Sequence, residues 1–429
     1  MRRLWHVPPV LLALLLPATA LAQVERGRFL VIPYGWAWAL LGLAVIAAAV
    51  AATAYLYGRL TKPGRALRYA LVSLKHVCIW IAILVTVYPI VYLVAVSFNR
   101  STSLATVPPR TGNLLLQSGV LPDPANFSLI QYQRVLSETH LDGYQWALLA
   151  LSLAALLVFL VAQLVAALSR GARPPIGRYA GWTVLLASGV LIISITPDQF
   201  YALGPEGQRI RSSTTGMMVL YIRNTLLVSG MTGLFAVMIS TTAGYAFARM
   251  RFEGRYQTLM IFVFVQMFPG FMALVAIFYL MNYLGLLNTY PGLILAYSGG
   301  AIAFSSWIFK GYLESISPSL EEAAMVDGAT RWGAFWRVIL PISTPMLLFI
   351  FLLQFIGTYS EFLLANVLLT SNELWTVGLG LRAMASDALT TQWGLLAASA
   401  ILGSLPILII FYTFQNALTG QYTAGGVKG

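Results

Sequence analysis

Adjacent carboxylates at Glu321 and Glu322 are the first groups in this chain whose types could do chemistry. Acid–base work by such a pair requires both groups to converge on one substrate. Neighbours on a helix point about 100° apart, which keeps these two from sharing a target. A third carboxylate, Glu361, lies in an apolar run seven residues after Gln354, with Thr358 and Tyr359 between them. A charge at membrane depth normally faces a cavity or a partner. This set reads as a polar lining of a translocation path, or as an interhelical hydrogen-bond group, or as a group near the outer interface.

Other reactive patterns are missing from the sequence. No serine has glycine two residues before it, and no H-E-x-x-H occurs, which removes the hydrolase elbow and the zincin motif. The lysines Lys62, Lys75, Lys310 and Lys428 follow Thr, Leu, Phe and Val, so the Gly-Lys of a P-loop is missing. His6, His76 and His140 are scattered, and Cys78 is the single cysteine. A zinc site and a disulfide scaffold are therefore not expected. Gly378-x-Gly380-x-x-Ala383 matches a dinucleotide fingerprint but lacks its strand–helix setting. The expectation is a chain without catalytic residues, metal or cofactor of its own.

The elements that carry these residues are set by composition. Of 429 residues 59% are hydrophobic and 9% charged, against about 25% charged in soluble domains. Too few charges remain to cover a soluble surface, and runs of about 20 apolar residues point to a bilayer as solvent. About ten apolar segments lie near 4–22, 36–57, 77–98, 145–168, 179–196, 220–247, 257–281, 291–311, 342–365 and 394–415. The expected fold is an all-α polytopic membrane protein. Arg2-Arg3, the run Val10–Leu16 and Ala20-Leu21-Ala22 also resemble a secretory signal peptide. Its removal leaves nine spans and an outside N-terminus near Gln23.

The net charge of +12 does not point to nucleic acid, because the basic residues sit in short loops between apolar runs. Clusters such as Arg59, Lys62, Arg65, Arg68 and Lys75, and Arg249, Arg251 and Arg255, orient those loops to the inside by the positive-inside rule. The C-terminus is then cytoplasmic. Outside lie a Pro-, Ser- and Asn-containing loop over 99–144 and a shorter one over 366–393. Inside, only residues 312–341 form a large loop.

That loop predicts a helix–turn–helix on the membrane surface. Ser317 can cap a helix beginning at Pro318; equally, Ser319 and Glu322 make a capping box. Glu321 and Glu322 suit the positive end of the helix dipole. Gly328 supplies a left-handed terminus. Thr330 can cap a second helix presenting Trp332, Phe335, Trp336 and Ile339 on one face, which Pro341 stops. Small Ala323 and Ala324 allow another protein to approach closely.

Glu322-Ala323-Ala324, Gly328 and Leu340-Pro341 resemble the EAA loop of bacterial ABC-importer permeases. Val338 departs from the family's usual isoleucine by one methylene. Gln266-Met267-Phe268-Pro269-Gly270, Lys310-Gly311-Tyr312, Leu320–Thr330 and Thr423–Gly429 are similar to the smaller permease subunit of maltose/maltodextrin importers. The similarity runs from about Asn224 to Gly429, and the segment 77–98 looks like that subunit's first helix. The family member has six spans, so segments at the N-terminus and at 145–168 and 179–196 are additions. The resemblance divides the chain into a signal-like or first membrane segment (1–22), added helices with the first core helix and an inserted pair (23–216), and a permease core (217–429).

The resemblance implies a multi-pass subunit of the bacterial inner membrane that carries sugar inward, most simply maltose or maltodextrin. Trehalose and other oligosaccharides are alternatives for the same architecture; a membrane enzyme or an ion-coupled carrier is a rival from another class. It implies a cytoplasmic ATPase dimer that binds the ATP and Mg, a second permease subunit, a periplasmic or lipid-anchored sugar-binding protein, and surrounding lipid. Glu322, Ala323, Ala324, Asp327, Gly328, Leu340 and Pro341 would couple to the ATPase. Gly425, Gly426 and Lys428 would form a tail reaching between the ATPase subunits. Trp375, Gly378, Gly380 and Arg382 would belong to a mobile outer loop with an aromatic tip that touches the binding protein.

Overall fold

Apolar runs become helices here because a backbone in lipid must satisfy its own hydrogen bonds. The computed structural model describes residues 25–26, 29–30, 35–100, 127–169, 175–205, 207–386 and 391–424. The signal-like segment 1–22 and the tail residues Gly425, Gly426 and Lys428 lie outside the described residues. The chain divides into two units, Met1–Leu129 and Ile130–Gly429.

In the first unit, β1 (Glu25–Arg26) pairs antiparallel with β2 (Phe29–Leu30). Two long helices follow, α1 (Gly35–Thr61) and α2 (Ala66–Ser97), which form a hairpin. Gly58 permits their close approach, since a Cβ there would lie 2.8 Å from Ala66 Cα. Tyr57 meets Tyr69 edge-on at 6.1 Å.

The second unit begins with α3 (Ile130–Leu136), α4 (Gly143–Ser169) and α5 (Pro175–Ser194). α4 and α5 pack as a hairpin. Gln145 fastens it, its Nε2 donating to Ser194 O at 2.8 Å, while Gln199 Nε2 donates to Asp142 Oδ2 at 3.0 Å. A short antiparallel ribbon, β3 (Tyr201–Leu203) with β4 (Arg209–Arg211), follows. Its end is held by Glu138, whose carboxylate accepts from Ser212 Oγ at 2.5 Å and from the Ser213 N–H at 2.7 Å; the loop expectation for 99–144 anticipates neither α3 nor these ties.

The remaining elements are α6 (Met218–Arg249), α7 (Arg255–Met267), α8 (Leu274–Tyr283), α9 (Tyr290–Glu314), α10 (Ser319–Val326), α11 (Arg331–Ile342), α12 (Thr344–Ser360), α13 (Leu363–Leu368), α14 (Val377–Met384) and α15 (Trp393–Ala424). α6 is the centre, packed along α9 and α12. Small residues at the crossing bring backbones close: a Cβ on Gly244 would lie 2.9 Å from the Phe309 ring and 3.1 Å from Lys310 N. Gly244→Leu is expected to separate α6 from α9 and cost about 1–3 kcal/mol, as overpacking does. The check is thermal unfolding in detergent, where each kcal/mol is about 2–4 °C in a large domain; an unchanged midpoint contradicts this packing.

Among the described residues, six helices are long and apolar enough to cross a membrane, or up to eight if each of two bent pairs counts as one span. With the segment 4–22 outside the described residues the exact count of ten is not confirmed, and two of the other segments are corrected. The segment 257–281 is not one straight span: α7 and the stretch Gly270–Tyr283 bend by 96° at Phe268-Pro269. Pro269 lacks an N–H and pushes Phe268 out of helical backbone, to φ −77° and ψ 127°. The segment 342–365 stops at Ser360, which places Glu361 in a break before α13 instead of inside a span. The segment 179–196 falls in α5, a helix of 20 residues over Pro175–Ser194.

Candidate functional site

The loop between α9 and α12 folds as its local sequence dictates, up to a point. Of the two capping alternatives Ser317 is the one found, accepting from the Ser319 N–H at 3.4 Å and meeting Ser319 Oγ at 2.7 Å. The N–H groups of Glu321 and Glu322 both reach Pro318 O, at 3.0 and 3.1 Å. Gly328 at φ +87° ends α10, and the N–H of Ala329 folds back to Ala324 O at 2.9 Å. Thr330 caps α11, its Oγ1 accepting from the Gly333 N–H at 3.0 Å.

α11 departs from expectation at two places. It does not stop at Pro341 but runs to Ile342, and the chain then bends by 71° into α12. A π turn over Phe335–Ile339 precedes the proline. Its wider ring accommodates the pyrrolidine that a tighter α turn would reject. The predicted single face of Trp332, Phe335, Trp336 and Ile339 is also split. Phe335 and Ile339 are buried, whereas Trp332 and Trp336 are 56% and 51% exposed. Phe335 packs on the Tyr245 ring at 4.7 Å and under Trp332 at 5.2 Å.

The outcome is a surface of mixed chemistry. Glu322, Ala323, Asp327 and Gly328 are exposed, Ala324 and Leu340 are half-buried, and Pro341 is exposed. Val326, Trp332 and Trp336 add bare apolar area. An acidic side chain beside small and aromatic residues suits another protein's groove, with Glu322 able to accept from a cation there.

Glu321 does the opposite of its neighbour. It turns into the protein, where Arg249 Nε donates to its Oε1 at 2.6 Å and Tyr245 Oη to its Oε2 at 3.0 Å. Arg249 and Glu321 side chains are only 12% and 8% exposed. Arg249 Nη2 also donates to Ile316 O at 2.8 Å. Sequence reading gives Glu321 no partner, assigns Arg249 only to the positive-inside cluster and passes over Tyr245. The available signals are their i, i+4 spacing on α6 and the 100° offset that turns one of two adjacent carboxylates inward.

The residues proposed to line a path bond to neighbouring helices. Gln354 Nε2 donates to Ser305 Oγ at 3.0 Å, and Tyr297 Oη donates to Glu361 Oε2. The other oxygen of Glu361 accepts from the Leu364 N–H at 2.9 Å, starting α13. Tyr359 Oη donates to Gly403 O at 2.5 Å, and Thr358 O accepts from the Glu361 N–H at 3.3 Å. Gln354 and Glu361 thus bind α9 while Tyr359 binds α15, the interhelical arrangement.

At the opposite end of α6 the segment expected to lie outside is packed, not an open loop. Gly378 and Gly380 lie in α14. A Cβ on Gly380 would meet the buried Tyr221 ring at 2.5 Å, and one on Gly378 would meet Phe362 Cβ at 3.0 Å. These glycines sit in a helix and admit close neighbours, where the sequence reading expected a loop. Trp375 is half-buried, its ring 6.1 Å from that of Tyr221. Arg382 is exposed and donates from Nη1 to Asn366 Oδ1 at 2.8 Å. Two residues that sequence reading passes over hold the segment. Asn224 Nδ2 donates to Glu373 O at 2.8 Å and Trp375 O at 2.9 Å, while its Oδ1 accepts from Tyr290 Oη at 2.7 Å. Asn288 Oδ1 accepts from the N–H groups of Thr370 and Ser371 at 3.0 and 2.9 Å.

No group of three or more His, Cys, Asp or Glu side chains able to hold a metal occurs among the described residues.

Comparison with known proteins bears on the same half of the chain. The family described as "Binding-protein-dependent transport system inner membrane component" matches residues 214–421. The maltose/maltodextrin transport system permease protein MalG of Vibrio vulnificus (strain YJ016) is 42% identical over 218 residues, which are 49% of this chain and 73% of that protein. The protein of the same name from Escherichia coli (strain K12) is 43% identical over the same shares. A solved bacterial ABC transporter involved in the import of the acidic polysaccharide alginate superposes with a TM-score of 0.53 at 19% identity, covering 80% of this chain and 94% of that one. That likeness shows a common fold.

Proposed function

The chain belongs to the binding-protein-dependent transport system inner membrane components, and we propose that it serves there as the permease subunit of an importer for maltose or maltodextrin. It is a multi-pass inner-membrane protein. The observation that carries the reading is the α10–α11 loop: its exposed Glu322, Ala323, Asp327 and Gly328 lie beside the exposed Trp332 and Trp336, a face open to another protein. A separate cytoplasmic ATPase, holding ATP and Mg, engages this face. A second permease subunit completes the pore and a sugar-binding protein delivers cargo from outside. The C-terminus lies on the ATPase side, with Gly425, Gly426 and Lys428 in contact with the ATPase, and Trp375 and Arg382 on the side facing the binding protein. Glu361, Tyr359 and Gln354 act on translocation by fixing the end of α12 and the break after it against α9 and α15, with Thr358 O holding the Glu361 N–H, and not by touching sugar.

The similarity to the maltose/maltodextrin permeases over 218 residues favours that cargo; the same architecture would serve trehalose or another oligosaccharide. Labelled-maltose uptake in cells lacking the gene, with and without it restored, separates these readings. Restoration is expected to rescue uptake, and excess unlabelled maltotriose to compete with it. Maltose uptake that never depends on the chain removes the maltose assignment, and competition by trehalose or sucrose redefines the cargo. Deleting residues 423–429 is expected to weaken co-purification of the ATPase at least threefold; undiminished recovery contradicts the tail's role.

A further inference from the structure

α6 carries Tyr245 and Arg249 one turn apart at its C-terminal end, and both reach the same buried carboxylate on α10. The guanidinium goes further, to Ile316 O in the connector between α9 and α10. One side chain therefore ties the end of α6 to both the start of the docking loop and its first helix. Phe335, packed on Tyr245, brings α11 into the same cluster with Phe309, Leu313 and Ile339. A displacement of α10 cannot occur without either carrying α6 along or breaking a charge-assisted bond that has little water to replace it.

The far end of α6 is tied just as firmly. Asn224 is fully buried and holds the carbonyls of Glu373 and Trp375, and Thr225 Oγ1 accepts from the Val377 N–H at 2.8 Å. α6 has 32 residues, which at helical rise is about 48 Å. The docking loop and the outer segment are thus fastened to opposite ends of one helix.

We propose that Glu321 and Arg249 are positioning residues that lock α10 to α6, so that movement imposed on the docking face reaches the outer segment through α6. The proposal rests on the reading that α10 engages an ATPase. Glu322 meets the partner, and Glu321, one residue earlier, passes the displacement inward. Tyr245 holds the carboxylate oxygen that Arg249 leaves free.

The test uses the full complex of this chain with its ATPase, second permease subunit and binding protein, reconstituted in liposomes. ATP hydrolysis is measured with and without binding protein and maltose, alongside labelled-maltose uptake and the amount of ATPase that co-purifies. Glu321→Gln preserves shape and removes the charge. It is expected to retain the ATPase and its basal hydrolysis within twofold, while stimulated hydrolysis and uptake fall at least tenfold. Arg249→Lys keeps the charge and should retain at least a third of the uptake; Tyr245→Phe should lose about threefold. Wild-type uptake by Glu321→Gln overturns the proposal, as does a loss of uptake that merely follows lost ATPase association. A wild-type complex that carries no maltose and shows no stimulated hydrolysis overturns the transport reading instead, and the lock's premise with it.

Discussion

Gly328→Asp is expected to reduce sugar uptake at least a hundredfold while the protein still inserts in the membrane at wild-type levels. Gly328 has φ +87°, and a Cβ there would meet nothing within 4 Å. Within this chain the substitution therefore meets no clash. Its internal penalty is the left-handed backbone, about 1–2 kcal/mol for most residues and less for Asp or Asn. That is too little to unfold the loop, so the large effect must come from the exposed docking face, where a second carboxylate beside Asp327 adds charge and bulk. Gly328→Asn separates the two contributions: it tolerates the same backbone without the charge and should retain at least a tenth of wild-type uptake. Quantifying membrane-fraction protein and uptake together checks both; full uptake by Gly328→Asp contradicts the docking assignment.

Asn224→Ala is expected to produce the largest loss of stability. The side chain is fully buried and bonds Glu373 O, Trp375 O and Tyr290 Oη at 2.8, 2.9 and 2.7 Å. Truncation leaves two backbone carbonyls without their donor, at about 1–3 kcal/mol each. The sum of about 2–6 kcal/mol should lower the unfolding midpoint in detergent by about 4–24 °C. It should also free the stretch 370–377, which would become a site of early proteolysis. A midpoint within 1 °C of wild type, with no new cleavage there, contradicts the anchoring role of Asn224.

Long apolar runs were enough to locate most of the helices, because lipid leaves the backbone few alternatives. Hydropathy averages across Phe268-Pro269-Gly270, however, and so reports one span where the backbone turns by 96°. Glu361 reads as an intramembrane charge for the same reason, although its carboxylate bridges the break between α12 and α13 and takes the hydroxyl of Tyr297. Local signals served the docking loop well: the cap at Thr330 and the left-handed Gly328 both depend on residues within a few positions. The split of Trp332 and Trp336 from Phe335 and Ile339 has no such local mark, since Phe335 packs on Tyr245 far away in sequence.

Contacts distant in sequence were the hardest to read. Glu321 and Arg249 are 72 residues apart, and periodicity carries no information over that separation. Gly380 looks like a loop glycine because nothing nearby reveals Tyr221 against it. The family resemblance nominated the residues proposed to dock, but it was silent on what holds them from behind.

The central claim is that the exposed face of α10 and α11 is where an ATPase drives this chain. Site-directed cross-linking tests it most directly, in a Cys78→Ser background that leaves no other thiol. Ala323→Cys and Val326→Cys, both exposed on α10, are expected to cross-link to the ATPase in membranes of transporting cells, and the bond should stop uptake until it is reduced. Glu373→Cys, exposed at the opposite end of α6, should give no such product. Failure of both α10 cysteines to capture the ATPase in a complex that still imports sugar, or capture from Glu373→Cys instead, would contradict the account.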